Sequence, residues 1–168
     1  TAWAYTTGKV RILSDGTPWR PLVHVEDICR AFIAVLHAPR ELIHDQAFNI
    51  GRDEENYQVR DVAEIVQRVV PNCEIEYAED AGPDPRSYRV DFGKLTRTFP
   101  EFRMQWDAEK GARELYEAFC ENGFTRQQVD GQRYIRLNRL KHLIGDGQLD
   151  DAGDRLIEAA VRVPADRR

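Results

Sequence analysis

Residues 16–27 read Gly16-Thr17-Pro18-Trp19-Arg20-Pro21-Leu22-Val23-His24-Val25-Glu26-Asp27 and carry the chain from a turn, through a stiffened extended stretch, into a helix. Each proline fixes its own φ and biases its predecessor to extended geometry, so Arg20 stands on a rigid connection. Beyond it, Ile28, Ala31, Phe32, Val35 and Leu36 mark one face of a helix from Glu26 to His37, and Pro39 ends the run. Ile33 and Ala34 widen that face so far that the helix is expected to be largely buried.

The same alternation extends on both sides. Thr1 to Thr7 reads as the last turn of a helix with Gly8 in its left-handed cap, and Lys9 to Leu13 as a short strand closed by Ser14-Asp15-Gly16. Ala47-Phe48-Asn49-Ile50-Gly51 is a short apolar strand of the covered, inner kind. Val59, Val62, Ala63, Val66, Val69 and Val70 then repeat at helical spacing, and Cys73 to Tyr77 alternates as a half-exposed strand. After a Gly/Pro/Asp loop at Ala81 to Pro85 come an extended piece at Tyr88 to Val90 and a short helix near Lys94 to Thr98. Asp107 caps a helix with Ala108, Ala112, Leu115, Tyr116 and Phe119 on one face, ended by Gly123. Strand and helix in alternation indicate an α/β fold, here with an unfinished sheet, because an inner strand at Phe48 to Ile50 lacks neighbours on both sides. The organisation expected is a unit over 1–122 and a charged helical tail over 123–168, with helices near Tyr134 to Ile144 and Asp151 to Val161. Such an inner strand without neighbours predicts marginal stability for the chain alone.

Composition narrows the class. The chain has 168 residues, 42% hydrophobic and 32% charged, with a net charge of −5. That suits a globular protein, argues against bulk attraction to nucleic acid, and leaves no apolar run of membrane-spanning length. A cytoplasmic setting is the expectation. The three cysteines, Cys29, Cys73 and Cys120, form no C-x-x-C pair and read as buried or inert thiols. The only methionine is Met104, which suggests excision from something larger.

Gly16 to Asp27 is similar to the G-x-x-x-R-D-aromatic-I/V-H/Y-V-x-D segment of the extended short-chain dehydrogenases, the NAD-dependent nucleotide-sugar epimerases and dehydratases. Phe48-Asn49-Ile50-Gly51, Tyr88-Arg89-Val90-Asp91-Phe92-Gly93-Lys94 and Trp106 ahead of the last amphipathic helix follow in the family's order. The resemblance covers residues 9 to about 120. It implies an α/β fold that is the C-terminal part of a Rossmann-type enzyme, with the last sheet strands, a small mixed α/β substrate-binding subdomain and a helical tail. It further implies a nucleoside diphosphate sugar as substrate, NAD held by the other half of the parent enzyme, and a homodimeric parent.

By that resemblance Arg20 is the first diphosphate-binding arginine. A guanidinium offers a planar fork of donors that matches phosphate oxygens and stays charged at any working pH. The second arginine of the family opens an R-P-G-D loop that here reads Ala81-Gly82-Pro83-Asp84, so Arg86 or Arg89 is the candidate replacement. Tyr88 is expected near the ligand, and the backbone of Val10 and Ile12 near the base. Pro21 stands where the family commonly has aspartate.

Other signals read as structure. Asp27 suits the first turn of its helix, where a carboxylate meets free N–H groups, and His24 is taken as a satisfied core histidine on an apolar strand. Tyr5-Thr6-Thr7-Gly8-Lys9 spells the family's catalytic Tyr-x-x-x-Lys, but Gly8 breaks the helix between the two side chains. No glycine fingerprint for a dinucleotide, no zinc signature and no nucleophile elbow occurs, and Asp53-Glu54-Glu55 and Glu79-Asp80 are acidic loops. Arg133, Arg136, Arg139 and Lys141 read as a solvated basic face. The rivals to an epimerase or dehydratase are a non-catalytic nucleotide-binding or interaction module and a nucleotide-linked keto-sugar reductase.

Overall fold

The structure, a computed structural model, describes residues 1–149. The chain divides into two compact units, Thr1–Gly123 and Phe124–Arg168. The first unit opens with α1 (Ala2–Thr7), which ends where Gly8 takes a left-handed φ of 69°. Strand β1 (Lys9–Ser14) leads through Gly16 into β2 (Trp19–Pro21), and α2 (Val25–His37) and the single turn α3 (Arg40–Ile43) follow. After a 3-10 turn at Asp53–Glu55 come β3 (Asn56–Gln58), α4 (Val59–Val69) and β4 (Glu74–Gly82). Helices α5 (Gly93–Thr98) and α6 (Ala108–Glu121) complete the unit.

Two small sheets result. β1 and β4 run parallel with Lys9 opposite Glu74 and Ile12 opposite Tyr77; β4 then advances to Gly82 while β1 reaches only Ser14. β2 and β3 are antiparallel, with Arg20 opposite Tyr57. α4 bridges the two sheets because its apolar stripe is buried on one side only, by Ala63, Ile65, Val66 and Val69. Val66 joins Ala4, Val70 and Cys73 in one core cluster, while Ile65 and Val69 meet Ala112 of α6 in a second. Tyr116 packs against both. Each buried valine or isoleucine among them contributes about 1.5–3 kcal/mol by leaving water.

Three expectations are corrected. Helix α2 is not largely buried: Asp27 and Ala31 are, but Phe32, Ile33 and Leu36 face outward, Leu36 with 79% of its surface open. An apolar helix is covered only where a second layer lies over it, and no described element lies over that side. Ala47 to Gly51 forms no strand, because among the described residues nothing pairs with its backbone; Asn49 instead donates its side-chain amide to the Asp91 carbonyl at 3.2 Å. Conversely, β4 continues through Glu79, Asp80 and Ala81, where a loop was expected, since the Asp15 N–H bonds the Gly82 carbonyl at 3.0 Å and prolongs the pairing.

In the second unit α7 (Arg126–Asp130) precedes α8 (Arg136–Gly145), and an Arg126–Asp130 ion pair closes one turn at 2.6 Å. The helix expected over Asp151 to Val161 lies outside the described residues. No described helix is long and apolar enough to cross a membrane.

Candidate functional site

The site is framed by two buried carboxylates. Asp27, 1% exposed, accepts the backbone N–H groups of Gln105 and Trp106 at 3.0 Å and the Arg30 guanidinium at 2.6 Å. It therefore ties the first turn of α2 to the segment entering α6. Burial pushes its carboxyl up, yet those hydrogen bonds and the Arg30 charge outweigh it and hold the group below the ordinary carboxylate range. Glu55 accepts from Arg52 at 2.9 Å, from the Tyr57 hydroxyl at 3.1 Å and from the Ala108 N–H at 2.9 Å, and its own carbonyl takes the Leu22 N–H. The strip after β2, the 3-10 turn and α6 are thereby fastened together. Burial first, and the Glu55 charge second, push the Tyr57 phenol up to about 12.

His24 is not on a strand. It caps α2, its Nδ1 receiving the Glu26 N–H at 3.2 Å, while Nε2 meets Glu114 at 2.8 Å and the ring stacks on Trp106 at 3.9 Å. Both ring nitrogens and the ring face are engaged, Nδ1 within its own helix cap and Nε2 and the face by α6 and the segment entering it, so it stands as a satisfied structural histidine in a different place from the one expected.

Against this frame β2 displays Arg20. Its Nη1 donates to the Trp19 carbonyl at 2.7 Å and its Nη2 to Asp84 Oδ2 at 2.9 Å; the guanidinium lies 5.9 Å from the centre of the Tyr88 ring. The loop after β4 wraps this strand: the Trp19 N–H donates to Ser87 Oγ at 3.1 Å, and the Tyr88 N–H to the Trp19 carbonyl at 3.4 Å. Arg86 returns on Asp84 through Nε to Oδ1 at 2.9 Å and Nη2 to Oδ2 at 3.0 Å, and its backbone N–H also reaches Oδ1. Hydrogen bonds from Arg86, with the charges of Arg86 and Arg20, pull the Asp84 carboxyl down to about 2. Arg89 lies over Trp19 at 4.6 Å.

Arg20, Arg86 and Tyr88 thus come together, with Arg89 nearby. Val10 and Ile12 do not join them through their side chains. Ile12 is buried and Val10 packs on the Ala4–Val66 cluster, while β1 has no ladder partner on its second edge among the described residues. What sequence reasoning missed is Asp84, the carboxylate that both arginines share; its signal was a Pro-Asp-Pro-Arg turn in which an aspartate reaches a backbone N–H two residues on. Arg20 and Arg86 line none of the hollows described below; Arg86 is exposed and Arg20 half-buried. One hollow, about 260 Å³, is bordered by Leu22, His24, Arg52, Ile65, Trp106 and Leu115. A second, of about 410 Å³, lies between α1 and β1 at Trp3, Val10 and Leu13.

Tyr5 and Lys9 fall on separate elements, Tyr5 packed on Tyr116 and Phe119 and Lys9 paired with Glu76 at 2.6 Å. Of the cysteines, expected as buried or inert thiols, Cys73 is buried and Cys29 and Cys120 are exposed. Among the described residues no three acidic, histidine or cysteine side chains gather for a metal. The strand-to-helix junctions among the described residues lack the glycine turn a dinucleotide site needs: β2 enters α2 through Leu22-Val23-His24, and β3 runs directly into α4 at Val59.

Residues 2–51 match the NAD dependent epimerase/dehydratase family. Over 114 residues, 66% of this chain and 16% of the relative, the chain is 32% identical to a trifunctional UDP-glucose 4,6-dehydratase/UDP-4-keto-6-deoxy-D-glucose 3,5-epimerase/UDP-4-keto-L-rhamnose-reductase of Arabidopsis thaliana. Among solved structures, the fold is shared with L-threonine dehydrogenase from Clostridium difficile, at TM-score 0.60 and 20% identity over 73% of this chain and 39% of that one. It is shared with the NAD-dependent NDP-hexosamine 5,6-dehydratase TunA, at TM-score 0.57 and 23% identity over 71% and 38%. A dTDP-glucose 4,6-dehydratase from Bacillus anthracis aligns at TM-score 0.52 and 24% identity over 68% and 35%. The chain therefore spans well under half the length of each of these four proteins. The chain is thus similar to the NAD-dependent epimerase/dehydratase family over residues 2–51, and with its parallel β1–β4 pair and packed helices it shares the α/β fold of these solved structures.

Proposed function

We propose that this chain supplies the substrate-binding portion of an NAD-dependent epimerase or dehydratase that acts on a nucleoside diphosphate sugar, with NAD held by residues outside it. The fold does not select that substrate, because L-threonine dehydrogenases share it. What supports it is the convergence of Arg20 and Arg86 on the one carboxylate of Asp84 beside Tyr88. Two guanidiniums brought together at one carboxylate suit two linked phosphates, each offering oxygens to a planar fork. Only two of the five Arg20 donors are engaged in the bonds to Trp19 and Asp84.

In the complete enzyme the bound nicotinamide supplies hydride chemistry on the sugar. The residues of this chain hold the diphosphate still while that happens. The same grip serves epimerisation, dehydration and reduction of a keto sugar, so the cluster bears on the substrate class and not on the reaction. A hydrogen bond to a charged group contributes about 1.5–3 kcal/mol, and a tenfold change in affinity is about 1.4 kcal/mol. Arg20→Ala in the full-length protein is expected to weaken UDP-glucose binding at least tenfold by calorimetry. Unchanged affinity removes Arg20 from the site.

A further inference from the structure

We propose that Asp84 is a positioning residue for diphosphate recognition, holding Arg20 and Arg86 side by side so that the pair meets two linked phosphates together. The inference rests on the nucleoside-diphosphate reading above. Its ground is the division of the Asp84 carboxylate. Oδ1 serves Arg86 alone, through its Nε at 2.9 Å and backbone N–H at 3.0 Å, while Oδ2 is shared between the Nη2 groups of Arg20 at 2.9 Å and Arg86 at 3.0 Å. Two guanidiniums so close repel each other, and a carboxylate between them removes that repulsion.

The two arginines differ in how firmly they are otherwise held. Arg20 belongs to the β2–β3 ladder and also binds the Trp19 carbonyl, and its side chain is 26% exposed. Arg86 is 83% exposed, and Asp84 holds it by three hydrogen bonds. Without that carboxylate a long charged side chain in water samples many rotamers, and a ligand must order it on binding. Asp84 itself is stiff: prolines stand on either side and its side chain is 18% exposed. Its low pKa, about 2, keeps it charged at any working pH, so the clamp does not open between pH 5 and 8. Arg86 meets Asp84 through Nε and Nη2, and its Nη1 amino group takes no part in that fork.

The test uses the full-length protein and two probes, UDP and UMP, titrated by calorimetry at fixed salt. Asp84→Asn is expected to weaken UDP about tenfold and UMP less than threefold, because UMP lacks the second phosphate that the held Arg86 would meet. Arg86→Ala is expected to do the same, and the double variant to bind UDP within about threefold of the weaker single variant, since the two changes remove one device. A residue that merely stabilised the loop would weaken UDP and UMP alike, and that result overturns the proposal. Equal or tighter UDP binding by Asp84→Asn also overturns it, because the carboxylate would then be competing with the ligand. Should Asp84→Asn misfold, the comparison of UDP with UMP on Arg86→Ala decides alone: equal losses overturn the proposal. Failure of the underlying reading looks different: UDP does not bind the unaltered protein, or binds Arg20→Ala just as well. A loss with Arg20→Ala and none with Asp84→Asn overturns the positioning role alone.

Discussion

Replacing Asp27 by alanine should be among the most damaging single changes in the Thr1–Gly123 unit. The carboxylate is 1% exposed and receives the Gln105 and Trp106 N–H groups and the Arg30 guanidinium. A donor left without a partner costs about 1–3 kcal/mol. Arg30 can turn to solvent and keeps its bond to the Arg103 carbonyl, and water reaches the exposed Gln105, so Arg30 is left out of the sum and the two backbone groups are taken low in the range. Their sum is roughly 2–4 kcal/mol. Equilibrium urea unfolding, followed by tryptophan fluorescence with Trp106 adjacent to the change, measures it directly. Asp27→Asn, which keeps one acceptor oxygen, should fall between the two. Because the folded pKa of Asp27 is depressed, the stability it contributes is fully present above the unfolded value of about 3.9 and is lost as pH falls through the folded value. The aspartate protein should therefore lose stability more steeply than Asp27→Asn below about pH 4. A loss under about 1 kcal/mol for Asp27→Ala, or identical acid profiles, would refute the view that this carboxylate ties α2 to the entry of α6.

Two further outcomes follow from the frame. Gly51 has φ 157° and its missing side chain makes room for the Phe92 ring, so Gly51→Ala is expected to destabilise by about 1–3 kcal/mol, read as a lower urea midpoint at unchanged slope. Burial and then Glu55 hold the Tyr57 phenol protonated to about 12, so an ultraviolet alkaline titration should show Tyr57 ionising last, behind Tyr5 and Tyr116, whose phenols are also raised, and Tyr57→Phe should remove the step near pH 12. Since that pKa is raised, the stability linked to it is complete below about pH 10 and drains away as pH approaches 12.

Much of the fold was legible because local signals were strong. Gly8 at the end of α1, the valine periodicity of α4 and the Asp107 cap of α6 each act within one turn of helix. The strands at Lys9 to Leu13 and Cys73 to Tyr77 were legible as well, and what failed to read depends on partners distant in sequence. Phe48 to Ile50 has the composition of an inner strand, but a strand is defined by its neighbours, and among the described residues it has none. The face of α2 was judged buried from its breadth, yet breadth states only what would profit from cover. In the candidate site, Arg20 and Arg86 were legible as residue types on stiff or glycine-rich loops. Asp84 was not, since its role appears only when the loop after β4 wraps β2. Glu55 was passed over as an acidic loop because nothing local reveals that Ala108 and Tyr57 will converge on it.

The outward ridge of α2 governs how this polypeptide behaves in a tube. Phe32, Ile33 and Leu36, with Val25 on the same helix, put oily surface in contact with bulk solvent. Such a ridge invites self-association that grows with protein concentration and with sulfate, which strengthens apolar contacts. Hydrophobic dyes should brighten on the native polypeptide, and elution volume on a sizing column should drift with the amount loaded.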